Sequence, residues 1–399
     1  MARGFRWAVA AAAAVTLGAW GLPVPAGAAP AQGTIVAAPG AEVVPDSYVV
    51  VLKDSAAAVT TQAEALAGRH DAVVRQTYAH ALRGFAATMT QQQARRMAAD
   101  PAVAYVQPNV VHRINDTQTN PPSYGLDRVD QRNRPLNSAY TYNTTATNVT
   151  AYIIDTGIRT THTDFGGRAV SGFDAIDGGP ADDCNGHGTH VAGTVGGTAY
   201  GVAKGVRLTA VRVLSCEGSG TTAQVVAGID WVTANAAKPA VANMSLGGSA
   251  DTVLDNAVRR SINSGVSYAI AAGNGLFGLF PLDACTQSPA RVAEALTVSA
   301  TNNSDQKASW ANRGTCVDVF APGISITSAW TTNDTASNTI SGTSMAAPHV
   351  AGAAALFLAN NPTATPAQVH AAVVDNATPG VVVSPGSGSP NRLLYTAAF

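Results

Sequence analysis

From Val149 onward the chain alternates short β-rich runs with longer stretches of helical period, and this alternation narrows the folds open to it more than any other feature. The runs Val149–Ile154, Leu208–Val213, Ala240–Met244 and Val266–Ile270 are separated by helical stretches such as Thr222–Asn235 and Thr252–Asn263. Strand and helix in turn predict an α/β domain of three layers with a mostly parallel central sheet. Open sheets of this kind carry their sites at the carboxyl ends of strands. Asp155 follows the first run and Asn274 follows the stretch Tyr268–Gly273, so both stand where chemistry is expected. No internal repeat interrupts the pattern.

The core such a fold needs is available, because of 399 residues 46% are hydrophobic and only 12% charged. With 24 Lys and Arg against 25 Asp and Glu, the formal net charge is -1. No run of basic residues is present to follow a polyanion, which excludes nucleic-acid binding as the main role. Residues 1–29 read as a secretory signal peptide: Arg3 and Arg6, an apolar stretch from Trp7 to Trp20, then the small residues Ala26-Gly27-Ala28. That stretch is short for a membrane span, Pro23 and Pro25 interrupt the residues after it, and no later segment is long and apolar enough to cross a bilayer. A secreted, extracellular protein is expected. Export permits disulfides among the four cysteines, Cys184, Cys216, Cys285 and Cys316. Three pairings are possible, and none of the spacings is the Cys-x-x-Cys of a zinc site.

Residues 30–115 precede the α/β domain, which is assigned to 116–399. They begin with a linker rich in Ala, Pro and Gly to about Pro45 and continue as a small α+β unit. Its expected strands are Ser47–Leu52, Phe85–Met89 and Val103–Val106; Ala56–Arg69 has helical period, and Thr90 stands as the cap of a helix over Gln91–Ala99.

Three short segments give the larger domain its chemistry. They are Asp155-Thr156-Gly157 closing an apolar run, His187-Gly188-Thr189-His190 opening an Ala/Gly-rich stretch, and Gly342-Thr343-Ser344-Met345-Ala346-Ala347-Pro348 before another. A serine hydroxyl attacks carbonyls poorly unless a base removes its proton, and that base works best when a carboxylate fixes its tautomer and stabilises its imidazolium form. Ser344, His187 and Asp155 fill those roles. Ser344 falls at the start of a helix running to about Asn360, where free N–H groups and the positive dipole end favour an oxyanion. Pro348 is expected in that helix's first turn, where a missing N–H costs little. The spacing of His187 and His190 raises a metal reading, but the Glu of His-Glu-x-x-His is absent and no third ligand is suggested.

The order Asp, His, Ser with these flanks resembles the subtilisin-like serine proteases, in the secreted branch of proteinase K and aqualysin, over nearly the whole chain after the signal. The resemblance implies a serine endopeptidase working through an acyl-enzyme, with His187 as base, His190 as a packed structural residue and Asn274 as side-chain donor to the oxyanion. It implies that Gly218-Ser219-Gly220 and Ser245-Leu246-Gly247-Gly248 are rails holding an extended peptide by backbone hydrogen bonds. It makes Ala271-Ala272-Gly273 an uncharged pocket wall that favours an apolar or aromatic residue before the cut. Likeness to aqualysin implies the bridges Cys184–Cys216 and Cys285–Cys316. No cofactor for catalysis is implied, while structural calcium is: one ion at Asp318 with the carbonyls of Ala293 and Ala295, another at Asp127, Asp130 and Gln131.

The α+β unit resembles the family's inhibitory propeptide, which templates a slowly forming parallel sheet. Its tail, about Ala104–Asn115, is expected to lie extended in the cleft until the enzyme cuts near Asp116. The implied partners are protein and peptide substrates and the chain's own propeptide; a monomer is expected. One stretch departs from the family pattern. Gly275-Leu276-Phe277-Gly278-Leu279-Phe280-Pro281-Leu282-Asp283 is longer and more apolar than the short polar loop of relatives; its two phenylalanines could extend an apolar subsite, pack inward or expose a patch for a lipid or protein partner, and packing near the cleft is expected. The alternative to an enzyme is a catalytically silent scaffold that binds peptides or surfaces, whose mark is a missing triad member; none is missing. An esterase lacks support, since the Gly-x-Ser-x-Gly elbow is absent at Ser344.

Overall fold

The computed structural model describes residues 31–36, 43–110 and 116–399. The expected signal peptide at 1–29 and the end of the expected tail at 111–115 lie outside the described residues. The chain divides into two compact units, 1–111 and 112–399.

In the first unit four strands, β1 (Val43–Leu52), β2 (Val73–Tyr78), β3 (Gly84–Thr88) and β4 (Val103–Val110), pair antiparallel in the order β2-β3-β1-β4. Two helices, α1 (Val59–His70) and α2 (Gln91–Ala98), accompany them. Thr90 caps α2 as its sequence predicts, in a reciprocal box with Gln93. Alternate residues Tyr48, Val50 and Leu52 of β1 enter one core with Leu66, Phe85 and Met97. Strand β2 has no counterpart among the expected runs, because a bulge between Val74 and Gln76 breaks its alternation. The expected linker is partly structured instead. Ile35 packs on this core, and the Gly33 and Val36 N–H groups donate to the carbonyls of Arg95 and Val106.

The second unit opens on β5 (Asp116–Thr119), α3 (Tyr124–Val129) and β6 (Ala139–Tyr142), with β5 and β6 paired. Its middle holds β7 (Thr150–Asp155), β8 (Ala169–Asp174), α4 (His187–Gly196), β9 (Arg207–Arg212), α5 (Thr222–Asn235), β10 (Ala240–Met244), β11 (Gly248–Ser249), α6 (Thr252–Asn263) and β12 (Ser267–Ala271). Next come β13 (Gln287–Ser288), β14 (Leu296–Thr301), β15 (Val319–Pro322), β16 (Ile326–Ala329) and β17 (Ser337–Ile340). The last elements are α7 (Thr343–Asn360), α8 (Pro366–Asn376), β18 (Thr378–Pro379) and β19 (Arg392–Leu393).

One sheet runs β18-β19-β15-β14-β12-β10-β7-β9-β8, parallel at every pairing except β18 with β19. This is the α/β class that the alternation predicts. Side chains alternate across the sheet, so Ala151 and Ile153 of β7 join a core with Val191 of α4 and Val350 of α7. Tyr152 and Ile154 join the opposite core with Ile229 of α5 and Val258 of α6. The order of the strands reverses at β7, with β9 and β8 on one side and the rest on the other. Asp155 is the last residue of that strand, which puts it at the topological switch where such sheets carry their sites. Helix α7 is buried on nearly every side, so the core fixes the residue at its start.

Candidate active site

Asp155 is fully buried, and His187 is the first residue of α4. His187 Nδ1 lies 2.7 Å from Asp155 Oδ1, which also accepts from the Thr156 N–H at 2.8 Å. A carboxylate there keeps the proton on Nδ1 and leaves Nε2 as the basic nitrogen. The turn after Asp155 approaches the start of α4 so closely that glycine is needed on both sides. Gly157 sits at a φ of +108°, and a Cβ on Gly188 would strike the Gly157 carbonyl. Burial opposes the charged imidazole of His187, but the carboxylates of Asp155 and Asp183 outweigh it and hold the group above the ordinary histidine value.

Sequence reasoning missed Asp183. Its Oδ1 accepts from Thr156 Oγ1, Asn185 N–H and Gly186 N–H at 2.9, 2.9 and 2.8 Å, and its Oδ2 from the N–H and hydroxyl of Thr189 at 2.9 and 2.6 Å. Thr156 Oγ1 in turn accepts from the Gly188 N–H at 2.9 Å. This buried carboxylate therefore ties the turn after Asp155 to the loop and helix start that present His187. The available signal is an acid four residues before the base, in a tight loop whose N–H groups need an acceptor.

Ser344 follows Thr343 at the start of α7. Its hydroxyl donates to the Ser245 carbonyl at 3.1 Å, and Ser245 Oγ donates to the Ser344 carbonyl at 2.7 Å. Asn243 Nδ2 holds Ser245 Oγ from behind at 2.8 Å. Pro348 corrects an expectation: it stands inside the helix, past the first turn. Proline there withholds the N–H that would bond the carbonyl four residues back. That carbonyl is Ser344's, and the Ser245 hydroxyl supplies the missing donor. Asp155 and His187 are thus closed on each other, while Ser344 is turned to Ser245 and makes no hydrogen bond with His187; catalytic contacts of this kind commonly tighten only around substrate.

Asn274 follows β12. Its Oδ1 accepts from both the N–H and the hydroxyl of Thr343, each at 2.9 Å, so its Nδ2 is the donor left free, beside Gly342. Both expected rails, Gly218 to Gly220 and Ser245 to Gly248, line one cavity of about 1000 Å³ together with His187. The expected pocket wall does not line that cavity: Ala271 and Ala272 are buried in and beyond β12, with Gly273 half-buried after them. The disulfide Cys184–Cys216 joins the loop before His187 to the segment before Gly218, and Asn185 Nδ2 reinforces it by donating to the Cys216 carbonyl at 2.7 Å. Cys285 is bonded to Cys316. With sequence separations of 32 and 31, each bridge is worth roughly 4 kcal/mol in the loop-entropy account.

His190 is buried, lies within hydrogen-bond distance of the Ile326 carbonyl through Nε2 (3.0 Å), and meets Trp330 edge to face. Burial pushes it down to about 4, so it is neutral and part of the packing. Among the described residues no group of three or more His, Cys, Asp or Glu is placed to hold a metal ion. The two expected calcium sets differ. At Asp318 one oxygen accepts from the Thr297 N–H at 2.8 Å and the other lies 3.4 Å from His370 Nε2, an imidazole that would have to turn aside for a cation to bind there with the carbonyls of Ala293 and Ala295. At the amino-terminal set Asp127 accepts from the N–H groups of Asn137 and Ser138, and Asp130 Oδ2 from that of Thr141. Asp130 Oδ1 is buried with no partner, and burial, with Asp127 nearby, pushes the carboxyl up to about 6. Gln131 Nε2 donates to the carbonyls of Asn133 and Pro135, which leaves its Oε1 uncommitted. An orphaned carboxylate oxygen beside a second carboxylate fits a hard cation.

Comparison with known proteins agrees with this geometry. The subtilase family model matches residues 146–393, and the peptidase inhibitor I9 model matches residues 47–115. The chain is 52% identical over 376 residues to an extracellular serine proteinase of Thermus sp. (strain Rt41A), a match covering 89% of this chain and 90% of that protein. It is 46% identical over 380 residues to alkaline serine exoprotease A of Vibrio alginolyticus, covering 91% of this chain and 70% of that one. Among solved structures, a cold adapted subtilisin-like serine proteinase matches with a TM-score of 0.66 and 53% identity, over 68% of this chain and 97% of that chain.

Proposed function

The chain belongs to the subtilase family, and from that premise we propose how its residues cut peptide bonds as a secreted serine endopeptidase. Ser344 Oγ attacks the scissile carbonyl while His187 Nε2 takes its proton, and Asp155 holds the resulting imidazolium through Nδ1–H. The oxyanion is received by Asn274 Nδ2 and by the Ser344 N–H, which is free because the first N–H groups of a helix have no partner within it. Collapse breaks the C–N bond as His187 passes the proton to the leaving amine, and an acyl-enzyme remains. A water deprotonated by His187 then releases the acid and restores the serine. What carries this reading is the 2.7 Å Asp155–His187 pair at the switch point of the sheet, facing a cleft whose wall is hydrogen-bonded to Ser344.

A small serine-directed phosphonate is expected to label the mature enzyme once, on Ser344, as located by peptide mass spectrometry. Asn274→Ala should keep that label yet lose roughly 100- to 1,000-fold in kcat with little change in KM, a range measured for this donor in subtilisin. Labelling at another residue, or full turnover without the Asn274 amide, overturns the assignment. Leu214, Val225, Leu246 and Leu254 in the cleft lining support an apolar or aromatic residue before the cut. The precursor is read as a zymogen: a signal over 1–29, a propeptide inhibitor ending near Asp116, and an enzyme that removes its own inhibitor.

Asp127, Asp130 and Gln131 are read as holding structural calcium, which would supply the positive charge that the buried Asp130 oxygen lacks. At calcium about 100-fold above Kd, the linkage is worth ~2.7 kcal/mol, so removing the ion with a chelator should lower Tm by roughly 5–10 °C. Asp130→Asn should make Tm insensitive to calcium. An unaltered protein whose Tm ignores both calcium and chelator sinks the site.

A further inference from the structure

The segment between Asn274 and Asp283 takes no part in the chemistry above. It folds as a tight hairpin, in which the Leu276 N–H donates to the Phe280 carbonyl at 2.8 Å and the Leu279 and Phe280 N–H groups donate back to the Leu276 carbonyl at 3.1 and 3.2 Å. Asn312 clamps the base of this hairpin to the strand end that leads to Asn274. Its N–H donates to the Gly273 carbonyl at 2.9 Å, its Nδ2 to the Ala272 carbonyl at 2.7 Å, and its Oδ1 accepts from the Leu282 N–H at 2.8 Å. The expected packing of its phenylalanines does not occur, because a short hairpin tip has no element over it; the tip is apolar and stands in water, with Leu276, Phe277, Leu279 and Phe280 49, 84, 66 and 64% exposed.

Among the described residues of this unit the other exposed large apolar side chains, Val170, Val253 and Val383, stand singly. A Leu or Phe side chain left in water forgoes the gain of burial, and a contiguous patch of them marks an interaction surface. The turn also holds Phe277 at a φ of +56°, a conformation that bulky residues avoid, so the backbone is strained where the aromatic ring is presented.

We propose that this hairpin is an apolar extension of the substrate site, one that takes hold of apolar side chains of protein substrates beside the segment being cut. The proposal rests on the protease reading above. Its occupant is the substrate itself because the hairpin begins at the residue after the oxyanion donor Asn274, so the chain holds Phe277 within about 11 Å of it, and a protein gripped there is kept close to the cleft. The favoured class is proteins that display apolar stretches on an extended or insoluble surface. Short peptides, held in the cleft between the rails, gain nothing from it.

The test compares the mature enzyme with a Phe277→Ser, Phe280→Ser variant, which removes two rings and leaves the Asn312 clamp and the triad in place. Expected is a kcat/KM within about twofold of the unaltered enzyme on a soluble tetrapeptide anilide, with hydrolysis of insoluble elastin, an apolar particle, down at least about tenfold. Binding of the enzyme to elastin, after silencing with a small sulfonyl fluoride, should fall in parallel. Unchanged elastin binding and hydrolysis overturn the proposal. So do a loss confined to phosphatidylcholine vesicles, a shift from dimer to monomer with elastin unaffected, or an equal loss on the tetrapeptide. If the unaltered enzyme cuts neither substrate, the protease reading itself fails, a distinct outcome.

Discussion

Ser344→Ala is expected to lower kcat by roughly 10⁶-fold, a magnitude borrowed from subtilisin, and to leave the precursor uncut near Asp116. Without Oγ no acyl-enzyme forms, while the oxyanion donors and the cleft remain and preserve a residual ~10³- to 10⁴-fold advantage over water. The fold should scarcely notice the change. Alanine keeps the carbonyl that accepts from Ser245 Oγ, and only the 3.1 Å bond to the Ser245 carbonyl is lost. Such a bond is worth about 1 kcal/mol, so Tm should move by only a few degrees. Two measurements check this together: casein hydrolysis, and the intact mass of protein secreted from a host without competing proteases. Normal processing of the Ser344→Ala precursor in that host would falsify the assignment of the nucleophile.

Asp155→Asn is the second large effect, a loss of roughly 10⁴-fold in kcat, the size found when the same tautomer is lost in an unrelated serine protease. An amide can offer its N–H to His187 Nδ1, which moves the ring proton to Nε2 and removes the base. The pH profile separates this from simple damage. In the unaltered enzyme burial opposes the imidazolium, but Asp155 and Asp183 hold the His187 pKa above its ordinary value. Activity needs the neutral ring, so kcat/KM should rise with pH and level off only above about 6.5, the ordinary histidine value. With one carboxylate charge removed, burial weighs more and the residual acid limb should move to lower pH. A limb that stays in place, with turnover near that of the unaltered enzyme, counts against Asp155 as the orienting group.

The alternation is largely legible in the sequence because its strands are short and mostly apolar and its helices periodic: strand Ala240–Met244 and helices Thr222–Asn235 and Thr252–Asn263 have the bounds that the pattern predicts. Strand β2 escapes, since a bulge puts its pattern out of phase, and Ile35 reads as linker because a single apolar residue carries no period. In the site, Asp155, His187 and Ser344 stand out by their flanks, whereas Asn274 is assigned only through family resemblance. Its fitness as a donor depends on Thr343, far along the chain, taking the other end of the amide. Asp183 is invisible for a related reason. What it does depends on five donors brought around it by folding, and an isolated acid in a loop looks like any other turn residue.

The exchange of hydrogen bonds between Ser344 and Ser245 has a mechanical consequence. Because Pro348 leaves a carbonyl for Ser245 to grip, the attacking group and the wall along which a peptide lies are fastened to one another at two points. Thermal breathing that carries the wall outward carries the nucleophile with it. When the hydroxyl turns from Ser245 to His187 for attack, the bond from Ser245 Oγ to the Ser344 carbonyl remains, so the nucleophile still follows the wall as well as its own helix.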